Sequence, residues 1–218
     1  MSESDSFIHE VTDEVRRDRL FRLFRKYSWV LVLAVVAIVG GTAYNEWNKS
    51  QSQKQARLTG DMMLAALAAQ DTAALETLAS KDDGAAVIAR LQLANLLEAE
   101  GDIAGALEVL RRITLDMKIS PVYADLAWLK IIMLDGENMS DSERNGAYDR
   151  LTAAAAPYRL LALEQQAMQY VRDGDTETAK AVLASILDDP AVTPNLRNRA
   201  QQLIVALGGE IGAQTENG

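Results

Sequence analysis

The sequence predicts an all-α chain, an N-terminal transmembrane helix followed by a solenoid of α-helical hairpins. Three observations predict it. Trp29–Ala43 (WVLVLAVVAIVGGTA) is the one long uncharged apolar run, and six basic residues stand just before it. Beyond Gly60 apolar residues recur at three- and four-residue spacing, with no long alternating strand pattern. Two later segments also align with one another, Ala94 against Ala167, a separation of 73 residues.

The first element is a basic amphipathic arm at residues 1–26. Phe7, Val11 and Val15 recur every four residues, and Leu20, Leu23 and Phe24 continue the same side, with arginines between. Such a helix can rest in the membrane interface with its basic side chains at the headgroups. It either orients the anchor or docks on a cytoplasmic or membrane partner.

Residues 27–47 read as the anchor. About 20 residues span a hydrocarbon core of about 30 Å, and the only formal charge between Tyr27 and Trp47 is Glu46. Eight of the ten residues from Val30 to Val39 are Val, Leu or Ile. Tyr27, Trp29, Tyr44 and Trp47 bracket the run as interfacial rings do. Arg16, Arg17, Arg19, Arg22, Arg25 and Lys26 precede it, which places the N-terminus in the cytoplasm and the rest outside. A cleaved signal peptide is the competing reading, with Gly41-Thr42-Ala43 as the small-residue site. Against it, the preceding arm is long and patterned, and no Gly or Pro follows Ala43 until Gly60. The helix is therefore predicted to run on. Ala37 and Gly41 form a small-residue pair on one helix face. It either receives a second helix or reflects ordinary membrane-helix composition.

Residues 48–208 are predicted to form the helical domain, and 209–218 a disordered tail. Asp71, Asp102 and Asp175 each follow a break and can cap a helix, as can Ser120 before Pro121 and Thr193 before Pro194. Ser140 with Glu143 reads as a capping box. In the alignment Leu97 matches Tyr170, Gly101 matches Gly174, and Asp102 matches Asp175. Ala106 then matches Ala179, Leu110 matches Leu183, and Ile113 matches Ile186. Small Ala94, Ala106, Ala167 and Ala179 let antiparallel helices approach closely. Gly101 and Gly174 permit the left-handed turn between them. A degenerate first hairpin fits at Ala56–Ala79, a divergent one at Pro121–Leu134 and Ser140–Ala154, and a closing helix at Asn195–Leu207.

Composition narrows the function. Residues 29–218 carry 16 basic and 25 acidic side chains, a net of −9, which argues against nucleic acid. There is no cysteine, and the single histidine, His9, lies in the arm. Thiolate chemistry, Cys-based zinc sites and a Ser–His–Asp triad in the domain are thereby excluded. Lys81-Asp82-Asp83-Gly84 and Asp173-Gly174-Asp175 lack the ligand spacing and closing glutamate of a calcium loop. No phosphate-binding glycine loop occurs. The reading is of a non-enzyme with no cofactor, no metal and no small-molecule substrate.

The hairpin spacing resembles the tetratricopeptide repeat (TPR), a helix–turn–helix unit of about 34 residues. The signature tryptophan and repeat-ending proline are irregularly placed here, and another α-hairpin bundle is the alternative. By the TPR pattern, Leu91, Asn95 and Glu98 of one unit and Glu164, Met168 and Val171 of another would line a concave protein-binding groove. Ordinary packing or surface is the other reading of each. TPRs that clamp a terminal carboxylate place Lys and Arg where Leu91 and Glu164 stand. A mixed apolar and acidic groove suits extended or partly unfolded chains, or another protein's helix.

The layout of basic arm, single anchor, aromatic-Asn exit (Tyr44-Asn45-Glu46-Trp47-Asn48), polar helix and divergent repeats resembles the ancillary Sec translocon subunit family of bacterial inner membranes. The resemblance implies a single-pass protein with a periplasmic TPR domain. It implies the Sec translocon and a membrane-anchored periplasmic chaperone of the prolyl isomerase type as partners. A membrane-tethered TPR scaffold for cell-envelope assembly is the alternative function, and an enzyme the third.

Overall fold

The computed structural model describes residues 3–81 and 83–209; within the first helix, side chains are described at Trp29, Leu33 and from Val36 onward. The described residues form nine α-helices and no strand, so the chain is all-α. Two units divide it, residues 1–58 and 59–218.

The first unit is helical. Helix α1 is assigned to Glu3–Ala68, with Gly40, Gly41 and Gly60 inside it and no proline. The Thr42 hydroxyl donates back to the carbonyls of Ile38 and Val39, both at 2.9 Å, so its polar group is satisfied by its own helix. Leu33, Val36, Ile38 and Val39 are all exposed apolar side chains. Among the described residues no helix is long and apolar enough to cross a membrane. The side chains of Val30, Leu31, Val32, Ala34 and Val35, and those of the predicted amphipathic arm with His9, lie outside the described residues. So do Asp82 and residues 210–218 of the predicted tail.

The second unit opens with the last turns of α1. Ala66 is buried and Met63 and Leu67 pack against the core, whereas Met62 and Leu64 stay exposed. Then follow α2 (Thr72–Ala79), α3 (Ala86–Glu100), α4 (Ile103–Leu115), α5 (Pro121–Asp135) and α6 (Asp141–Leu151). The last three are α7 (Arg159–Arg172), α8 (Thr176–Leu187) and α9 (Pro194–Ala206). From α2 to α9 every helix packs on its chain neighbours, and α5 also reaches α7. The core forms two clusters. One runs from Ala66 to Ala162 and is centred on Leu75, Leu110, Ile113, Ile131 and Leu151. The other holds Ala167, Leu183, Ile186, Leu196, Ala200 and Ile204. Each fully buried Leu or Ile contributes about 1.5–3 kcal/mol. Helix α7 supplies residues to both clusters.

The two aligned segments make the same turn. Gly101 (φ 84°) and Gly174 (φ 81°) are both left-handed. The Gly101 N–H donates to Glu98 O and that of Gly174 to Val171 O, each at 3.1 Å. Asp102 N–H donates to Leu97 O and Asp175 N–H to Tyr170 O, each at 2.8 Å. This bond pair satisfies carbonyls that a helix end otherwise leaves open. The Asp102 carboxylate then accepts from Gly105 N–H at 2.9 Å, and the Asp175 carboxylate from Thr178 N–H at 3.1 Å. Ala94, Ala106, Ala167 and Ala179 are all fully buried.

The remaining caps are mixed. Asp71 caps α2 through Ala74 N–H, and Thr193 caps α9 through Leu196 N–H. Ser120 precedes Pro121 as predicted, yet its side chain makes no capping bond. Ser140 accepts from Glu143 N–H, but the Glu143 carboxylate accepts instead from Arg111 at 2.7 Å. A full charge on α4 outcompetes a backbone N–H for that carboxylate, so the capping box is half formed.

Candidate functional site

Helices α5, α7 and α9 enclose a cleft of about 600 Å³. From α7, Glu164, Gln165 and Met168 reach it, and from α9 Arg199, Gln202, Leu203 and Ala206 do so. Their spacings of three and four put each set on one side of its helix. Helix α5 contributes Met133, whose side chain is 61% exposed. A methionine so exposed presents a flexible, polarisable apolar surface.

Among the described residues the only formal charges lining the cleft belong to Glu164 and Arg199. Arg199 donates Nε to Glu164 Oε1 at 2.7 Å and Nη2 to Oε2 at 2.6 Å. Glu164 is buried, at 7% exposure. Its hydrogen bonding raises the Arg199 pKa above the ordinary guanidinium value, against the opposing effect of burial. The charges therefore cancel within the wall. What the cleft offers is two methionines, a leucine and the carboxamides of Gln165 and Gln202, which both donate and accept.

Of the residues predicted to line a groove, the structure brings Glu164 and Met168 together here. Val171 is half-buried and its carbonyl accepts the Gly174 turn bond. Leu91 lies inside the first core cluster, at 8% exposure. Asn95 is exposed and donates to Gln92 at 3.4 Å. Glu98 accepts from Lys130 at 3.1 Å, joining α3 to α5. None of the three α3 residues lines the cleft. Sequence reasoning missed Met133, Gln165, Arg199, Gln202, Leu203 and Ala206. One signal for Arg199 was present, a basic residue 35 positions after an acidic one. Glu98 and Lys130 repeat it at a separation of 32.

A second concavity of about 500 Å³ lies where the α2–α3 and α4–α5 loops meet, with Lys81, Arg90 and Asp116 among its lining residues. Arg90 and Asp116 are engaged in holding the loops. Arg90 donates to Ala79 O at 3.0 Å and to Asp116 at 3.1 Å. The Lys118 backbone N–H and the Arg90 guanidinium hold the Asp116 carboxyl below the usual carboxylate range.

The described carboxylates of the two acidic stretches are likewise engaged. Asp83 accepts from the N–H groups of Ala85 and Ala86, Asp173 from Gln169, and Asp175 from Thr178. Among the described residues no cluster of His, Cys, Asp and Glu could hold a metal ion.

No curated protein and no solved structure matches the chain. One family model does, over residues 5–207, and the chain thus belongs to the family described as "Protein of unknown function (DUF2659)".

Proposed function

We propose that the chain is a non-enzymatic adaptor built of TPR-like hairpins and anchored in the bacterial inner membrane by residues 27–47. Its N-terminus lies in the cytoplasm and its helical domain in the periplasm. There it works at the Sec translocon beside a membrane-anchored chaperone and assists polypeptides as they emerge. The cleft between α5, α7 and α9 is the observation that carries this reading. Its apolar lining of Met133, Met168 and Leu203, with Glu164 and Arg199 neutralising each other, suits an apolar stretch of unfolded chain. The uncharged run and the basic residues before it supply the anchor and its direction.

The test is co-purification of the full chain in mild detergent, with mass spectrometry of what accompanies it. Recovery of the Sec channel and a periplasmic chaperone is the expected result. Recovery of cell-wall or outer-membrane machinery without them overturns the proposal in favour of an envelope scaffold. A photo-crosslinking residue at Met133 is expected to capture nascent secretory chains, and Met168→Glu to reduce that capture.

A further inference from the structure

We propose that helix α1 pairs with α1 of a second copy of this chain, along a charge-free seam that ends at Leu58. The seam begins at the small pair Ala37 and Gly41. It continues through Tyr44, Asn48, Gln51, Gln55 and Leu58. These positions alternate steps of four and three residues, the 3.5-residue period that winds two helices into a left-handed coil. All seven residues are exposed. Four charged residues occupy the same stretch, Glu46, Lys49, Lys54 and Arg57, and every one lies off the seam. Among the described residues the carboxamides of Asn48, Gln51 and Gln55 have no hydrogen-bond partner.

The composition of the seam suits a second copy of the chain. In a parallel, in-register pair each residue meets its own counterpart. A charge there would face its like at a cost in stability, so a seam free of charge favours such a pair. A seam for an unlike helix carries no such cost, because opposite charges on the two sides would help it. A carboxamide both donates and accepts, so Asn48, Gln51 and Gln55 can each bond to themselves across a two-fold axis. Polar residues at such positions fix register and strand number and lower stability. Ala37 and Gly41 let the backbones approach closely. Tyr44, whose ring stands 6.4 Å from that of Trp47, and Leu58 add apolar area at two levels. The parallel direction rests on the anchor reading, since two copies crossing one membrane point the same way.

The chain has no cysteine, so single-cysteine variants report without further changes. Full-length Asn48→Cys, Gln51→Cys and Gln55→Cys, in isolated membranes under mild oxidation, are expected to form disulfide dimers in several-fold higher yield than Ser50→Cys and Gln53→Cys. Equal yields along the helix, no dimer, or a cross-linked product whose mass is not twice that of the chain overturns the proposal. Gln51→Glu, read through Gln55→Cys, is expected to lower the dimer yield several-fold. Mixing it with Gln51→Lys chains is expected to restore the yield, and failure of that rescue counts against self-pairing. Carbonate extraction of the same membranes reads the anchor separately. A chain that extracts yet cross-links with this periodicity loses the anchor and keeps the seam.

Discussion

Arg199 grips Glu164 with two parallel hydrogen bonds of 2.7 and 2.6 Å, tying α9 to α7 across the wall of the cleft. The carboxylate is buried while the arginine side chain is 48% exposed. The pair is therefore asymmetric. Arg199→Ala leaves a buried carboxylate without its partner and is expected to cost about 2 kcal/mol, below the fully buried value because water reaches the arginine side. Arg199→Ala with Glu164→Leu removes the stranded charge and is expected to recover most of that loss. Urea unfolding of the four proteins of this cycle measures the coupling.

The twin turns give a second expectation. Gly101 and Gly174 are left-handed, and a Cβ added at either would meet nothing within 4 Å. Substitution by alanine therefore carries only the backbone cost of that conformation, about 1–2 kcal/mol. Gly101→Ala and Gly174→Ala are expected to destabilise by similar amounts, and Gly101→Asn by less, because Asn tolerates that region. A large difference between the two alanine variants in thermal unfolding would show that their surroundings matter.

These turns were legible in the sequence because they are local. A helix end, a left-handed residue and a capping carboxylate lie within six positions, and each has a residue type of its own. The buried alanines were legible for the same reason, through spacing. The cleft was legible only in part. Glu164 and Met168 follow from their place on α7, but Met133 and Arg199 come from helices that meet α7 only once the hairpins have packed. Leu91 shows the converse limit. Its place in the pattern suggested an open face, but it lies among the first core cluster, and helix rotation of that kind is set by packing. The charge pairs Glu98–Lys130 and Glu164–Arg199, 32 and 35 residues apart, were the readable trace of that packing.

Stability should fall in acid through carboxylates that act in the folded state alone. Thr178, through its hydroxyl and its N–H, lowers the Asp175 pKa from the ordinary 3.8. The Ala191 N–H and then Arg159 lower that of Asp189. A carboxyl with a depressed folded pKa contributes stability above its unfolded value, and that contribution is lost as pH falls through the folded one. Melting temperature is expected to drop below about pH 4. In Asp175→Asn, which keeps the cap but not the charge, the drop is expected to be smaller. Melting curves from pH 3 to pH 7 provide the check.

Tyr148 of α6 supplies the alkaline counterpart. Its ring is buried at 3% exposure, and its hydroxyl finds no hydrogen-bond partner among the described residues. Burial pushes the phenol up to about 12, although the nearby guanidinium groups of Arg172 and Arg144 pull the other way. A raised folded pKa means that this contribution is fully present below the unfolded value of 10.0 and is lost as pH rises towards the folded one. Tyr148→Phe keeps the ring and deletes the unsatisfied donor, whose burial costs about 1–3 kcal/mol. The variant is expected to melt higher than the parent at neutral pH. It is also expected to lose less stability between pH 9 and pH 11, because the unfolded chain no longer gains from ionising this phenol. A variant that melts lower than the parent at neutral pH would mean that the hydroxyl is hydrogen-bonded in the folded protein.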